Sequence, residues 1–501
     1  MLAIAMTAPR VPTLSDRTAG VLLHPTSLPG GDLGSTAHDM VEFLASAGQS
    51  WWQTLPINPP GLGNSPYSAQ SAFAGSPALV SAERLVDDGL LTAGERDLPQ
   101  DERLRAAFRN FSGGAPDFEQ FTQGATDWLD DYALYRALKR RHGGAAWTDW
   151  PADVRGRDRA ALERAREELA GELAFERFVQ WRFFRDWGAL REHAHQQGIA
   201  LMGDLPIFLA QDSADVWQHR DLFYLDDGGS PTVVSGVPPD YFSETGQRWG
   251  NPLYRWDRMR DAGFAWWIAR FRMALTVFDA IRLDHFIGFT RYWEVPGSAP
   301  TAAKGKWRKG PGAPLFQAAA AALGDLPLVA EDLGAVTPEV EKLRAKFGFP
   351  GLKVLQFAFG TDPQAETFLP HNYPRQAIAY TGTHDNDTTY GWFHDPGSGT
   401  RTAEQTAVER RNALHYLGAP PDDDGREIHW MLIRSIMMSV ANVAIVPVQD
   451  LLGLGTKFRM NLPGTGEGNW GFRLEAGALT PAIAERMRDL AETYGRRRPT
   501  A

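Results

Sequence analysis

The sequence predicts an α/β fold, a (β/α)₈ TIM barrel in a single domain over residues 1–501, enlarged by helical and loop insertions. The 501 residues have 43% hydrophobic content, enough to bury a large core. Short apolar runs recur along the chain between helix-like stretches, the pattern of a parallel sheet with crossover helices. Several runs end in acidic residues, at the end of the strand where such barrels carry their active face.

Eight apolar runs are the candidate strands, and eight is the number that closes a barrel of this type. Their residues are Gly20–His24, Trp51–Leu55, Ile199–Gly203, Ala280–Asp284, Leu328–Glu331, Lys353–Ala358, Ala377–Thr381 and Val443–Pro447.

The rest of the chain predicts three insertions, because a bare barrel needs only about 250 residues. Residues 77–197 are charged with helical periodicity and predict a helical subdomain between the second and third strands. Residues 224–256 are rich in Gly, Pro, Asp and aromatics without periodicity, so we expect a loop that forms a lid over the barrel mouth. Residues 296–314 predict a further loop.

Composition excludes several classes of function. The net charge is -10 and the basic residues are scattered, so no nucleic-acid partner is expected. Cysteine is absent, which excludes disulfides, thiolate nucleophiles and Cys-ligated zinc and fits a reducing cytoplasm or any compartment that makes no use of thiols. No apolar stretch approaches about 18 residues and no signal-peptide pattern opens the chain. We therefore expect a soluble cytoplasmic protein, without a membrane partner or an obligate protein partner.

Polar side chains follow five of the eight runs. A single acid at a strand end is ordinarily the cap of the next helix, but so many together favour a catalytic site. These residues are Asp204, Asp284, Glu331 with Asp332, His384 with Asp385, and Gln449 with Asp450.

Two of these acids suit the cleavage of a glycosidic bond, which needs a carboxylate on one side of the sugar ring and a protonated carboxyl group at the leaving oxygen. Asp284 and Glu331 end successive strands, where they can face one another, and Asp385 is available to hold sugar hydroxyls. Arg282 lies two residues before Asp284, on the same side of the strand, where its charge would keep that carboxylate ionised.

With these residues, the chain resembles the 4-α-glucanotransferase family of the α-amylase clan, called amylomaltase in bacteria and disproportionating enzyme in plants. The resemblance spans nearly the whole length, and its strength comes from the order of many short motifs. They are His24–Pro29, Leu55–Pro60, Asn64–Tyr67, Gly203–Phe208, Asp212–Trp217, Gly236–Phe242, Gln247–Tyr254, Ile281–His285, Ala330–Gly334, Phe349–Lys353, Tyr380–Asp385 and Arg459–Pro463.

The resemblance implies a role for each matched residue. Asp284 is expected to be the nucleophile, Glu331 the general acid and base, and Asp385 the stabiliser of the transition state. The partners implied are α-1,4-glucans and maltooligosaccharides, and no cofactor or metal is implied. The expected substrate-binding residues are Tyr67, Asp204, Asp240, Phe242, Gln247, Trp249, Arg282, His384 and Asn461.

Other interpretations remain open at this point. The same acids would serve a plain α-glucan hydrolase, and a glucan-binding protein without activity could keep the stacking aromatics. Asp204, Arg282 and His384 could be braces behind the site, while Tyr67, Phe242 and Trp249 could be ordinary packing residues.

Overall fold

The computed structural model describes residues 10–239, 244–334, 336–397 and 401–499. Its strands, in chain order, are β1 (Thr18–Leu22), β2 (Trp51–Gln53), β3 (Ala200–Leu205), β4 (Val233–Val237), β5 (Gln247–Pro252), β6 (Ala280–Leu283), β7 (Arg291–Pro296), β8 (Lys306–Lys309), β9 (Leu328–Ala330), β10 (Gly351–Val354), β11 (Ala377–Tyr380) and β12 (Val443–Pro447).

Eight of these strands form a closed parallel barrel in the order β1-β12-β11-β10-β9-β6-β3-β2. The predicted (β/α)₈ barrel is therefore confirmed, and each of the eight apolar runs supplies one strand. The run Lys353–Ala358 needs a correction. Its strand ends at Val354, and Leu355–Ala358 turns into a 3₁₀ helix that buries Leu355 and Gln356.

Gly20 is required for the barrel to close between β1 and β2. Gly20 pairs with Trp51, and a Cβ atom on Gly20 would lie 2.4 Å from the Trp51 carbonyl oxygen. A glycine lets the two backbones approach where any side chain would collide.

The helices cover the barrel and its insertions, and within the described ranges none is long and apolar enough to span a bilayer. They are α1 (Ser35–Ser46), α2 (Ala82–Asp87), α3 (Gln100–Asn110), α4 (Pro116–Gly124), α5 (Leu129–Arg141), α6 (Ala152–Arg155), α7 (Arg159–Glu168), α8 (Ala170–Gln196), α9 (Ala214–Gln218), α10 (Trp256–Asp261), α11 (Ala265–Val277), α12 (Ala313–Leu323), α13 (Pro338–Phe347), α14 (Thr389–His394), α15 (Ala403–Leu417), α16 (Ile428–Met438), α17 (Val448–Leu451) and α18 (Pro481–Thr493).

The helical segment between β2 and β3, expected at about residues 77–197, contains α2 to α8. The last helix, α8, packs against α1 and runs directly into β3. It is thus the crossover helix of a βαβ unit, and the inserted part ends before it. The insertion is tied to the barrel through Asp212, whose Oδ1 accepts a hydrogen bond of 2.8 Å from the Tyr135 hydroxyl.

The two segments predicted as loops contain strands. An antiparallel sheet of order β5-β4-β7-β8 lies beside the barrel, with β4 and β5 inside 224–256 and β8 inside 296–314, where α12 also begins. The loop prediction fails because these strands are short and partly exposed, without a clean alternation of apolar and polar residues. Val234, Val295 and Ala302 form a small core of their own on one face of this sheet.

Candidate active site

Asp284 directly follows β6, and its carboxylate is held by Arg282 from the same strand. The guanidinium Nη1 lies 3.2 Å from Asp284 Oδ1 and 2.6 Å from Asp204 Oδ2, on the neighbouring strand β3. The Tyr67 hydroxyl donates to that same Asp204 oxygen at 2.7 Å. One hydrogen-bonded chain therefore joins Tyr67 to Asp284.

Arg282 and Asp204 are buried, whereas the Asp284 side chain is 26% exposed. Burial opposes the charge of Arg282, but Asp204 and Asp284 raise its pKa above the ordinary value for arginine. Burial also raises the pKa of Asp204, an effect that Arg282 opposes. Asp204 Oδ1 has no hydrogen-bond partner among the described residues, and the Asp204 side chain is fully buried.

Glu331 follows β9, the next strand of the barrel, and backbone groups fix its carboxyl. The His285 N–H lies 2.8 Å from Oε2, and the Leu333 N–H lies 3.1 Å from Oε1. Burial, with the negative charge of Asp284 adding to it, raises the pKa of Glu331 to about 8 although Arg282 acts in the opposite direction. Glu331 is therefore protonated at neutral pH, as a general acid must be.

His285 holds its backbone N–H toward Glu331 through a left-handed conformation, with φ of +51°. Residues other than glycine rarely adopt this conformation, and it commonly marks functional sites. The His285 ring meets Trp249 edge to face, with 4.8 Å between ring centroids. Burial lowers its pKa to about 4, so the imidazole is neutral at physiological pH.

A second hydrogen-bonded group surrounds Asp385, which follows β11. Asn461 Nδ2 donates to Asp385 Oδ1 at 2.6 Å, and His384 Nε2 lies 3.3 Å from the same oxygen. Arg459 donates to the Asp385 backbone carbonyl at 2.9 Å. The Asp385 side chain is 42% exposed, so it remains open to a ligand while its direction is fixed.

Stacked rings connect the two groups. Tyr67 and His384 lie nearly parallel, with 5.2 Å between centroids. Trp470 packs against both, at 5.7 Å from Tyr67 and 6.0 Å from His384, and it has a φ of +63°. The sequence does not predict Trp470 as a site residue. The available signal was a tryptophan closing the glycine-rich segment after Asn461.

Part of the predicted lid lies beside Asp284. Gln247 and Trp249 are on β5, where Trp249 Nε1 donates to Gln247 Oε1 at 3.2 Å. The Trp249 side chain is 39% exposed and contacts His285. Asp240 and Phe242, the other two predicted lid residues, lie outside the described residues.

The geometry thus brings ten predicted residues into one set of contacts at the carboxyl ends of the barrel strands. A closed parallel barrel with a protonated carboxyl beside an ion-paired carboxylate at this end defines a barrel enzyme. The ten residues are Tyr67, Asp204, Gln247, Trp249, Arg282, Asp284, Glu331, His384, Asp385 and Asn461.

Comparison with known proteins identifies the family. A family model described as 4-alpha-glucanotransferase matches residues 22–480. The 4-alpha-glucanotransferase of Thermus thermophilus is 48% identical over 96% of this chain and 99% of its own length. The chloroplastic/amyloplastic 4-alpha-glucanotransferase of Solanum tuberosum is 42% identical over 96% of this chain and 86% of its own. The chain belongs to the 4-alpha-glucanotransferase family.

A solved structure agrees with this assignment. Amylomaltase from Streptococcus agalactiae, in complex with acarbose, superposes with a TM-score of 0.90 at 34% sequence identity. The match covers 96% of this chain and 100% of that one. The whole architecture, insertions included, is therefore shared with an amylomaltase.

Proposed function

We propose that this enzyme transfers a segment of an α-1,4-glucan to the 4-hydroxyl group of another glucan or of glucose by a retaining double displacement. The pairing of Asp284 with Glu331 is the observation that carries the proposal. Arg282 stabilises the negative charge of Asp284, while burial raises the pKa of Glu331 to about 8. A charged nucleophile beside a neutral acid is what the first step requires.

In the first step Asp284 attacks the anomeric carbon and Glu331 gives its proton to the glycosidic oxygen. The bond to the leaving glucan breaks, and a glucosyl ester forms on Asp284. In the second step the 4-hydroxyl of an acceptor attacks that carbon and gives its proton to Glu331. The ester bond breaks, the α-1,4 bond is restored and both acids return to their first state.

The proposed donor site lies between the two hydrogen-bonded groups. Asp385, held by Asn461 and His384, would bind hydroxyls of the sugar that carries the developing charge. Tyr67 presents an aromatic face, and Asp204 accepts a hydrogen bond from the Tyr67 hydroxyl at 2.7 Å. Arg282 and His384 are almost fully buried, which supports bracing as their main contribution.

Transfer of the glucan to an acceptor must be faster than hydrolysis of the intermediate, although water is abundant. An oriented acceptor and a site closed to solvent can supply that advantage. Trp249 supports this role, since it lies against His285 beside Asp284, and Gln247 accepts a hydrogen bond from the Trp249 indole. We assign Asp240 and Phe242 to the same lid, a role suggested by their place in the family motif.

Incubation of the enzyme with maltotriose tests the proposal. A transferase yields glucose together with oligosaccharides longer than maltotriose, whereas a hydrolase yields only glucose and maltose. A glucan-binding protein without activity leaves maltotriose unchanged. The Asp284→Asn variant is expected to lose turnover, and full activity in that variant would exclude the mechanism.

A further inference from the structure

A groove of about 800 Å³ lies on the side of the barrel, between α4, α8 and α11. We call it the flank groove. Trp187 beside it donates its indole N–H to the Val277 carbonyl at 2.9 Å, and Arg191 holds Asp279 at 2.6 Å. Both partners precede β6, whereas Asp284 follows it. The flank groove is therefore at the opposite end of the strand from the active site.

Aromatic rings form the floor of the flank groove. Phe184 lies 5.4 Å from Phe121 and 5.9 Å from Trp128, measured between centroids. Phe121 and Phe184 are only partly buried, although each packs against other rings. Partly exposed aromatic rings in a concave site can pack against the C–H faces of a sugar.

The rim of the groove is polar, and the guanidinium of Arg191 is paired with Asp279. Arg191 and His195 both contact Asp279, His195 with its Nε2 at 2.9 Å from Oδ2. Glu192 and Gln196 are exposed beside them. The rim thus offers hydrogen-bond donors and acceptors without a strong net charge, which suits a neutral ligand rich in hydroxyl groups.

Gly188 keeps the groove open. It lies inside α8, where glycine costs about 1 kcal/mol of helix stability relative to alanine. Its φ is not positive, and an added Cβ would meet no atom within 4 Å. Neither backbone geometry nor packing requires glycine there, and a large side chain would project into the groove.

We propose that the flank groove binds a segment of α-1,4-glucan, as a second site remote from the reacting carboxylates. The inference rests on the proposed function, which makes long glucans the substrate. The volume of the flank groove is within the range of about 300–1,000 Å³ typical of small-molecule sites. A long glucan held there would remain tethered to the enzyme, which raises the effective concentration of its free end at the active site.

Titration calorimetry with maltoheptaose tests the second site. The titration uses the Glu331→Gln background, in which substrate is not consumed. Gly188→Leu should remove one binding event, because leucine fills the groove and also favours the helix. Gly171→Leu is the matched control, since Gly171 lies on α8 with no atom within 4 Å of an added Cβ, outside the groove.

Equal titrations of the Gly188→Leu and Gly171→Leu variants would overturn the proposal. If Gly188→Leu does not fold, Phe121→Ala tests the same site. This substitution removes an aromatic ring of the groove floor, on α4, and does not fill the groove. Each glycine substitution is also made singly in the active enzyme, without Glu331→Gln. There Gly188→Leu should raise KM for amylose by roughly two- to five-fold, whereas Gly171→Leu should leave KM unchanged. Failure of the proposed function would appear separately, as wild-type enzyme that does not disproportionate maltotriose.

Discussion

The backbone N–H of His285 lies 2.8 Å from Oε2 of Glu331, and the left-handed conformation of His285 sets that direction. Because His285 directly follows Asp284, the two proposed reacting acids are linked through one peptide unit. Their relative position depends on backbone geometry and not on two flexible side chains. Such fixed geometry favours a reaction that needs both groups at one sugar ring.

The first prediction concerns the backbone of His285. Asparagine tolerates the left-handed region and valine does not. The free energy of unfolding of His285→Val should therefore be about 1–2 kcal/mol lower than that of His285→Asn. Both variants lose the contact between the imidazole and Trp249, and their difference therefore isolates the backbone. Urea unfolding measures this difference in the free energy of unfolding. Equal stability of the two variants would show that φ at 285 is not under strain.

The second prediction concerns pH. Burial and the charge of Asp284 raise the pKa of Glu331 to about 8, so the proton needed for the first step is present below that pH. We expect kcat/KM to fall above pH 8, by about tenfold per pH unit. Glu331→Gln should lose at least about 100-fold in activity. A pH profile of kcat/KM that stays flat from pH 7 to 10 would contradict the assignment.

The second prediction extends to stability, because the same raised pKa of Glu331 makes the free energy of unfolding depend on pH, with Glu331→Gln as the reference. A carboxyl group whose pKa is higher in the folded state binds its proton more tightly there, so wild-type stability falls as pH rises from about 4.5 toward 8. Glu331→Gln cannot ionise and should lack this contribution. The difference in melting temperature between wild type and Glu331→Gln should therefore shift in favour of the variant as pH rises.

The barrel strands were predictable because they are buried on both faces. Such strands consist of continuous apolar runs, and Ala280–Leu283 and Val443–Pro447 are wholly buried. The sheet beside the barrel lacked this signal. Four exposed residues, Lys306–Lys309, form β8 through pairing with β7, a contact that local sequence does not encode.

The candidate site was predictable where a contact follows from local periodicity. Arg282 and Asp284 are two residues apart on one strand, so their pairing could be expected. The contact of Trp470 with Tyr67 joins distant parts of the chain, and the His285 bond to Glu331 depends on a backbone conformation. Neither has a sequence pattern of its own.

The third prediction concerns the two ion pairs of Arg282, whose guanidinium is buried. Arg282→Met would leave the carboxylates of Asp204 and Asp284 without their partner, at a cost of about 3–5 kcal/mol in unfolding free energy. Adding Asp204→Asn should recover part of that loss, because one uncompensated charge is removed. Chemical denaturation of the single and double variants measures the coupling. Additive losses would argue against the pairing.

The fourth prediction concerns the exclusion of water by Trp249. Trp249→Ala should raise the ratio of hydrolysis to transfer several-fold, since the indole lies against His285 beside the proposed intermediate. Trp307→Ala is the matched control. Trp307 is on the same sheet and is 37% exposed, close to the 39% of Trp249, but packs on Trp293 and Arg291. Product analysis with maltotriose that gives equal ratios for both variants would remove this role.

The fifth prediction concerns Trp470, whose ring holds Tyr67 and His384 while its backbone has a φ of +63°. Trp470→Gly removes the ring but suits the backbone, whereas Trp470→Ala removes the ring and keeps the strain. If the ring positions the donor site, both variants should lose activity, and Trp470→Phe should restore a large part of it. The glycine variant should be the more stable of the two by about 1 kcal/mol.

A purely structural role for Trp470 gives a different result. Activity would then follow the folded fraction, so both variants would be close to wild type at a temperature where both remain folded, and the glycine variant would be the more active only near the melting temperatures. Steady-state kinetics with maltotriose distinguish the two cases, because a displaced Tyr67 and His384 would lower kcat and raise KM in both variants alike. The three-ring contact connects Trp470 to the proposed nucleophile Asp284, since the hydrogen bonds of Tyr67 continue through Asp204 and Arg282 to that carboxylate.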